Sequence, residues 1–89
     1  MNKVEEGIKI AISDLNKELK LIKLHLHSLS GSHACIEYKI RYMKPSFISF
    51  PLFQELEYPD VARNIIVNDL EEVILSFYGL RGEEDGRAD

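Results

Sequence analysis

The chain has 89 residues, 45% of them hydrophobic, and its 15 acidic and 11 basic side chains give a net charge of −4. This composition predicts one globular domain and excludes a disordered chain, which would lack the apolar residues for a core. The single cysteine excludes an internal disulfide framework and favours a reducing, cytoplasmic location.

The first predicted element is an amphipathic helix that begins after Asn2, a suitable N-cap residue. Gly7 weakens its first turn by about 1 kcal/mol relative to alanine, so we expect the start of the helix to fray. Apolar residues recur at steps of three and four, the spacing of one helix face: Val4, Ile8, Ile12, Leu15, Leu19 and Ile22.

A β-hairpin follows, because the apolar pattern changes from the spacing of a helix to the alternation of a strand. In LIKLHLHSL and in HACIEYKIRYM, apolar and polar residues alternate. Alternation in two segments joined by Ser-Gly-Ser predicts paired strands with one buried and one exposed face.

The register of this hairpin follows from its apolar face. Pairing Leu26 with Ile36 and Leu24 with Tyr38 keeps the apolar side chains together, whereas a slip of one residue would mix the two faces. This register predicts a loop of odd length, with Gly31 in the left-handed conformation that such loops need.

A third strand and a second helix complete the domain. Residues 47–53 are apolar on both faces, and Pro51 restricts this strand to an edge or a bulge. The segment 58–80 has the apolar spacing of a helix, with Gly79 as its predicted C-cap.

The predicted order is α-β-β-β-α, an α+β fold in which two helices pack on one face of a three-stranded antiparallel sheet. Residues 1–81 form this single domain. The charged, glycine-containing segment 82–89 is expected to be a disordered tail.

This order of elements resembles that of the double-stranded-RNA-binding domain over most of the chain. The second helix of that family opens with a cluster of lysines that grips phosphate. The matching stretch here is EYPDVARN, with Arg63 as its one basic residue. The resemblance therefore implies an arrangement of elements and assigns no RNA-binding residues to this chain.

Histidine and cysteine on the polar face of the hairpin suggest a metal site. The predicted register places His27 opposite Cys35 and His25 opposite Glu37, and imidazole and thiolate are suitable zinc ligands. However, four ligands on one gently twisted surface would close around an ion only with strain. The spacing also matches no standard zinc motif, so a solvated polar face is the favoured interpretation.

The same face has basic side chains that suggest nucleic-acid binding, because phosphate contacts need only charge and reach. The alternation places Tyr38 and Tyr42 on the buried face, where they could not stack on bases. Long cations also solubilise an exposed sheet, which is the competing interpretation. The candidate residues are Lys20, Lys23, Lys39, Arg41 and Lys44.

Catalysis is not indicated by the sequence. Cys35 lies in a predicted strand, without the helix N-terminus or oxyanion donors that activate a thiol. No phosphate-binding glycine loop is present, so neither a cofactor nor a small-molecule substrate is expected. No apolar run approaches the roughly 18 to 20 residues of a membrane span.

Protein–protein interaction is the leading interpretation, because the apolar arc of the second helix and the segment FISFPLF exceed what a small sheet can cover. We expect a homodimer or a small accessory subunit docked on a larger protein. The predicted interface residues are Val61, Ile65, Val67, Ile74, Phe50 and Phe53.

Overall fold

The computed structural model describes the backbone of residues 2–82 and the side chains of residues 2–73 and 75. A short 3₁₀ helix, Gln54–Glu57, is an addition to the predicted elements. The other elements follow the predicted order α-β-β-β-α: α1 (Lys3–Glu18), β1 (Ile22–Leu29), β2 (His33–Ile40), β3 (Ser46–Pro51) and α2 (Pro59–Gly82). The strands form one antiparallel sheet in the order β1-β2-β3, which confirms the predicted α+β fold.

Both helices pack on one face of the sheet, and the core lies between the two layers. The helix α1 contacts β1, α2 and the 3₁₀ helix. Side chains of the opposite sheet face, such as Lys23, His25 and Ser49, are exposed. Residues from both layers are at most 1% exposed: Ile8, Ala11, Leu15, Ala34, Ile36, Leu56, Ala62 and Ile66.

The start of α1 is fixed by a cap and by a close contact at Gly7. The side-chain oxygen of Asn2 accepts a hydrogen bond from the N–H of Glu5 at 3.3 Å, which confirms the predicted cap. Gly7 is buried, and a Cβ atom there would lie 2.1 Å from the carbonyl oxygen of Leu56. The glycine therefore permits the 3₁₀ helix to approach α1, a contact that contradicts the expected fraying.

The strands β1 and β2 pair in the predicted register over most of their length. Leu24 lies opposite Tyr38, and Leu26 lies opposite Ile36. Ile22 belongs to β1 rather than to α1, because the helix ends at Glu18. The apolar alternation of the two segments, together with the short connection between them, therefore predicted this part of the sheet.

Beyond Leu26 the pairing shifts by one residue, and the predicted odd loop is wrong. His27 occupies a β-bulge, so that Ser28 pairs with Cys35 and Leu29 pairs with Ala34. Regular pairing would have directed Ser28 toward the core and Leu29 toward water. The bulge reverses this phase, and Leu29 packs against the core instead.

Since the bulge absorbs the extra residue, the turn itself is even, with Gly31 and Ser32 at its tip. The N–H of Ser30 donates to the carbonyl of His33 at 2.9 Å. The Ser30 hydroxyl accepts from the backbone N–H groups of Ser32 at 3.2 Å and His33 at 2.9 Å. These bonds hold the turn without the predicted left-handed glycine, because Gly31 does not have a positive φ.

The segment after the hairpin differs from the prediction mainly in its boundaries. The strand β3 spans Ser46–Pro51 rather than 47–53, and Pro51 is its last residue, on an edge strand as predicted. The helix α2 continues through Gly79, the predicted C-cap, to Gly82.

Two further predictions concern the C-terminal tail and membrane-spanning segments. The charged tail lies outside the described residues from position 83 onward. In the part of the chain that is described, neither helix combines the length and apolar content needed to cross a bilayer.

Gly7→Ala tests the close contact between α1 and the 3₁₀ helix. Helix propensity alone predicts stabilisation by about 1 kcal/mol. We expect destabilisation by about 1–3 kcal/mol, because the added methyl group meets backbone atoms that cannot move independently. Urea unfolding followed by circular dichroism measures the difference. Ser13→Ala, at an exposed position of α1, is the control, and a more stable Gly7→Ala protein would contradict the contact.

Candidate functional site

The two edges of the sheet differ, and Asn16 is the cause. Its side-chain oxygen accepts from the N–H of Leu24 at 2.8 Å, and its side-chain nitrogen donates to the carbonyl of Leu24 at 3.0 Å. An amide side chain thus replaces a neighbouring strand at the middle of β1. A strand edge closed in this way cannot pair there with another chain.

The bonds between Asn16 and Leu24 also show which backbone groups of β3 point away from β2. Because Leu24 directs both groups toward Asn16, its partner Tyr38 directs its own N–H and C=O toward β3. Tyr38 pairs with Ser46, so Ser46 and every second residue after it bond to β2. The N–H of Leu52, which has the same parity, donates to Ser32 at 2.8 Å.

The intervening residues of β3 therefore present their backbone groups at an open edge. These are Phe47, Ser49 and Pro51, of which Pro51 has only a carbonyl to offer. Within the described part of the chain, no hydrogen bond reaches their outward N–H or C=O groups. We call the outward side of these three residues the β3 edge.

The β3 edge is uncharged, and exposed phenylalanine residues lie in the strand and just beyond it. The strand SFISFP contains no ionisable side chain. Phe47 is 50% exposed, and its ring meets that of His27 edge-to-face at a centroid distance of 5.0 Å. Phe53, just beyond the strand, is 40% exposed. The usual protection of an edge by lysine is absent from this strand.

The predicted interface residues divide between the core and the surface. Phe50 is 4% exposed and belongs to the core, which corrects its assignment to an interface. Phe53 is exposed, as an interface residue requires. Val61, Ile65 and Val67 are half-buried and pack against the core. The remaining interface candidate is Ile74, whose side chain is not among those that the structure describes.

The predicted rectangle of metal ligands is incomplete. His25 lies opposite Glu37, as expected, but the bulge removes His27 from the pairing, and Ser28 takes the position opposite Cys35. Within residues 2–73 and 75, no group of three or more histidine, cysteine, aspartate or glutamate side chains is placed to hold a metal ion.

The basic candidates lie toward one end of the sheet, and all of them are exposed. Lys23 lies directly opposite Lys39, whose ammonium group donates to the carbonyl of Arg41. Lys44 belongs to the connection between β2 and β3, and Lys20 belongs to the connection between α1 and β1. Among the described residues, none of the five takes part in an ion pair.

The placement of Tyr42 on the buried face is wrong. The strand β2 ends at Ile40, and Arg41 has a φ of 39°, so the alternation stops before Tyr42. Tyr42 is 92% exposed, with the guanidinium carbon of Arg41 5.6 Å from its ring centroid. An aromatic ring therefore accompanies the basic side chains at this end of the sheet.

Several of these features were missed because they depend on local irregularities. The polar Asn16 beside the apolar stripe was a signal for a specific partner, although nothing in the sequence identified Leu24. The pattern LHSL, with Leu26 and Leu29 three residues apart, was a signal for the bulge. The signal that Tyr42 lies beyond the strand was the sequence MKPS that follows it, since a strand does not extend into a proline-containing connection.

Comparison of this chain with protein-family models, with curated proteins and with solved structures gives no match. The sheet and its two edges are therefore the features that point to a function.

Asp69 adds a pH-dependent element to α2, one turn after Ile65. Burial raises the pKa of this carboxyl above its usual value, and the nearby charge of Glu72 raises it further. A raised pKa in the folded state means that ionised Asp69 opposes folding at neutral pH. This destabilisation disappears as the pH falls below the ordinary pKa range of aspartate, where Asp69 is protonated in both the folded and the unfolded state.

We therefore expect Asp69→Asn to raise the melting temperature near neutral pH and to leave it almost unchanged in acid. Thermal unfolding at both pH values gives the comparison. Asp14→Asn, at an exposed position of α1, should have little effect at either pH. An equal stabilisation by Asp69→Asn at both pH values would contradict the charge-based explanation.

Proposed function

We propose that this protein is a non-enzymatic interaction module, a small accessory subunit or a self-associating domain, that docks through the β3 edge. The observation that supports this most directly is the row of outward backbone groups at Phe47, Ser49 and Pro51. An extended segment that adds to a sheet edge obtains affinity from main-chain bonds and specificity from side-chain contacts. Phe53 supplies an apolar contact beside that edge, and the Phe47 ring, which lies over the sheet face against His27, supplies another on that face.

The contrast between the two sheet edges supports this proposal. Natural sheets protect free edges with charges, bulges or covering elements, and β1 has such protection from Asn16 and from its bulge. The strand β3 has no charge, and proline occurs only at its end. An edge left uncharged beside exposed aromatic rings is suited to a partner strand.

The proposal includes neither catalysis nor a bound cofactor, and it places the module in the cytoplasm. Cys35 is free and half-buried on the sheet, which suits a reducing compartment. His25 lies at the exposed sheet face, where it is open to solvent.

Affinity capture from the source cell tests the module, with Ser49→Pro as the informative variant. This substitution removes an outward N–H and leaves the bonds from β3 to β2 in place. We expect the wild type to capture a protein, or further copies of itself, that Ser49→Pro fails to capture. Ile10→Ser, which changes a 44% exposed side chain on α1, should capture the same protein. Capture that is equal for all three proteins would refute docking at the β3 edge.

A second candidate function is nucleic-acid binding at the basic end of the sheet, and the exposure of Tyr42 favours it. A base could stack on the Tyr42 ring while the neighbouring lysines and Arg41 contact phosphates. The dense acidic charge of the second half of the chain opposes this function, which is why it ranks second.

Fluorescence anisotropy with labelled single-stranded and double-stranded RNA and DNA tests the second candidate. Binding should weaken steeply with salt, because it releases counterions. Lys39→Glu combined with Arg41→Glu should abolish it, and Tyr42→Ala should weaken only the binding of single strands, by about 5- to 100-fold. Lys17→Glu on α1 is the control. No anisotropy change at low salt would eliminate this function.

A further inference from the structure

We propose that the partner at the β3 edge is a second copy of this chain, joined about a two-fold axis so that the two sheets form one continuous antiparallel sheet. This inference rests on the proposed function and specifies its partner. It assigns the contact to backbone bonds between the two β3 strands. The helices of both copies would lie on the same face of the joined sheet, because adjacent antiparallel strands keep their faces in common.

Hydrogen bonding selects a register centred on Ile48. In that register Phe47 lies opposite Ser49 of the second copy, and the two residues exchange both of their outward bonds. The two-fold axis repeats this exchange for Ser49 and the second Phe47. Every outward N–H of β3 is then bonded, and Pro51 lies beyond the paired residues.

The neighbouring register, centred on Ser49, is poorer. It would place Phe47 opposite Pro51 of the second copy, and proline has no N–H to donate to the Phe47 carbonyl. An unpaired carbonyl between two strands is costly. The position of Pro51 therefore favours the Ile48-centred register over its alternative.

The charge of the strand permits this self-pairing. A strand that carries lysine or glutamate at its edge repels its own copy, because like charges lie close across the joint. Between Ser46 and Pro51 the only side chains are those of serine, phenylalanine, isoleucine and proline. Phe47 would face Ser49 of the second copy on the outer surface, and the two Ile48 side chains would meet on the inner surface.

Closure of the opposite edge limits the assembly to two copies. Asn16 bonds both backbone groups of Leu24, and the bulge at His27 distorts the strand beyond it. A third chain therefore has no regular edge to extend. One closed edge and one open edge give a closed two-fold dimer rather than a fibre.

The flank of α2 near Ile65 is consistent with the same arrangement. Arg63 pairs with Glu18 of α1, so the flank of α2 that bears Arg63 faces α1. Val61 and Ile65 lie on the opposite flank, roughly 160° from Arg63 at about 100° per residue. Since α1 lies against β1, this flank is turned away from the closed edge of the sheet and is free to meet the second copy.

A charge-exchange experiment at Phe47 and Ser49 tests both the dimer and its register. Phe47→Lys with Ser49→Lys places lysines opposite each other across the joint and should weaken the dimer at least about tenfold. Phe47→Lys with Ser49→Glu pairs lysine with glutamate in the Ile48-centred register and should restore the dimer. In the Ser49-centred register the same protein would bring two glutamates together and remain monomeric.

Sedimentation equilibrium of the full chain over a range of concentrations gives the readout. Circular dichroism melting shows that each variant is folded, which both exposed positions should permit. A dimeric wild type, a dissociated lysine–lysine variant and a restored lysine–glutamate variant would support the proposal. A monomeric wild type would overturn it, as would a lysine–lysine variant that stays dimeric. Failure of lysine–glutamate to restore the dimer would overturn the assigned register.

These results separate the two proposals. A monomeric wild type that still captures another protein, with capture lost in Ser49→Pro, would refute self-association and leave the interaction module standing. Capture that does not depend on Ser49, together with a monomeric wild type, would refute both.

Discussion

The two hydrogen bonds between the side chain of Asn16 and the backbone of Leu24 are the constraint on which the functional surface depends. They satisfy a donor and an acceptor that would otherwise face solvent at a strand edge. They also hold α1 beside β1. The helix and the amide together close one edge of a three-stranded sheet, and the other edge, at β3, is left open. The asymmetry of the molecule therefore begins with one half-buried asparagine in a helix.

Much of the fold was predictable because burial of apolar area imposes parity on strands. Leu24, Leu26, Ile36 and Tyr38 alternate with polar residues, and a slip of one residue would divide them between the two faces. Pairing Leu26 with Ile36 requires an odd number of residues between them. The alternation pattern does not show whether the odd residue lies in the turn or in a strand. The decision came from Leu29, which reaches the core only if the bulge precedes it.

The remainder required tertiary contacts that no local pattern contains. Gly7 looked like a weak helix residue, yet the carbonyl of Leu56 occupies the space where a side chain would be. Phe47 and Phe50 belong to one apolar run, and only the strand register divides them into an exposed ring and a core side chain. Tyr42 left the predicted face because the strand stops two residues earlier. Of these residues, only Phe47 belongs to the β3 edge.

Amide hydrogen exchange measured by NMR at several protein concentrations tests the difference between the two edges most directly. The N–H of Leu24 should exchange slowly at every concentration, because Asn16 accepts its hydrogen bond. The N–H of Ser49 should exchange rapidly in dilute solution and more slowly as the concentration rises and a second copy covers the edge. Rapid exchange at Leu24, or exchange at Ser49 that is slow and independent of concentration, would contradict one closed and one open edge.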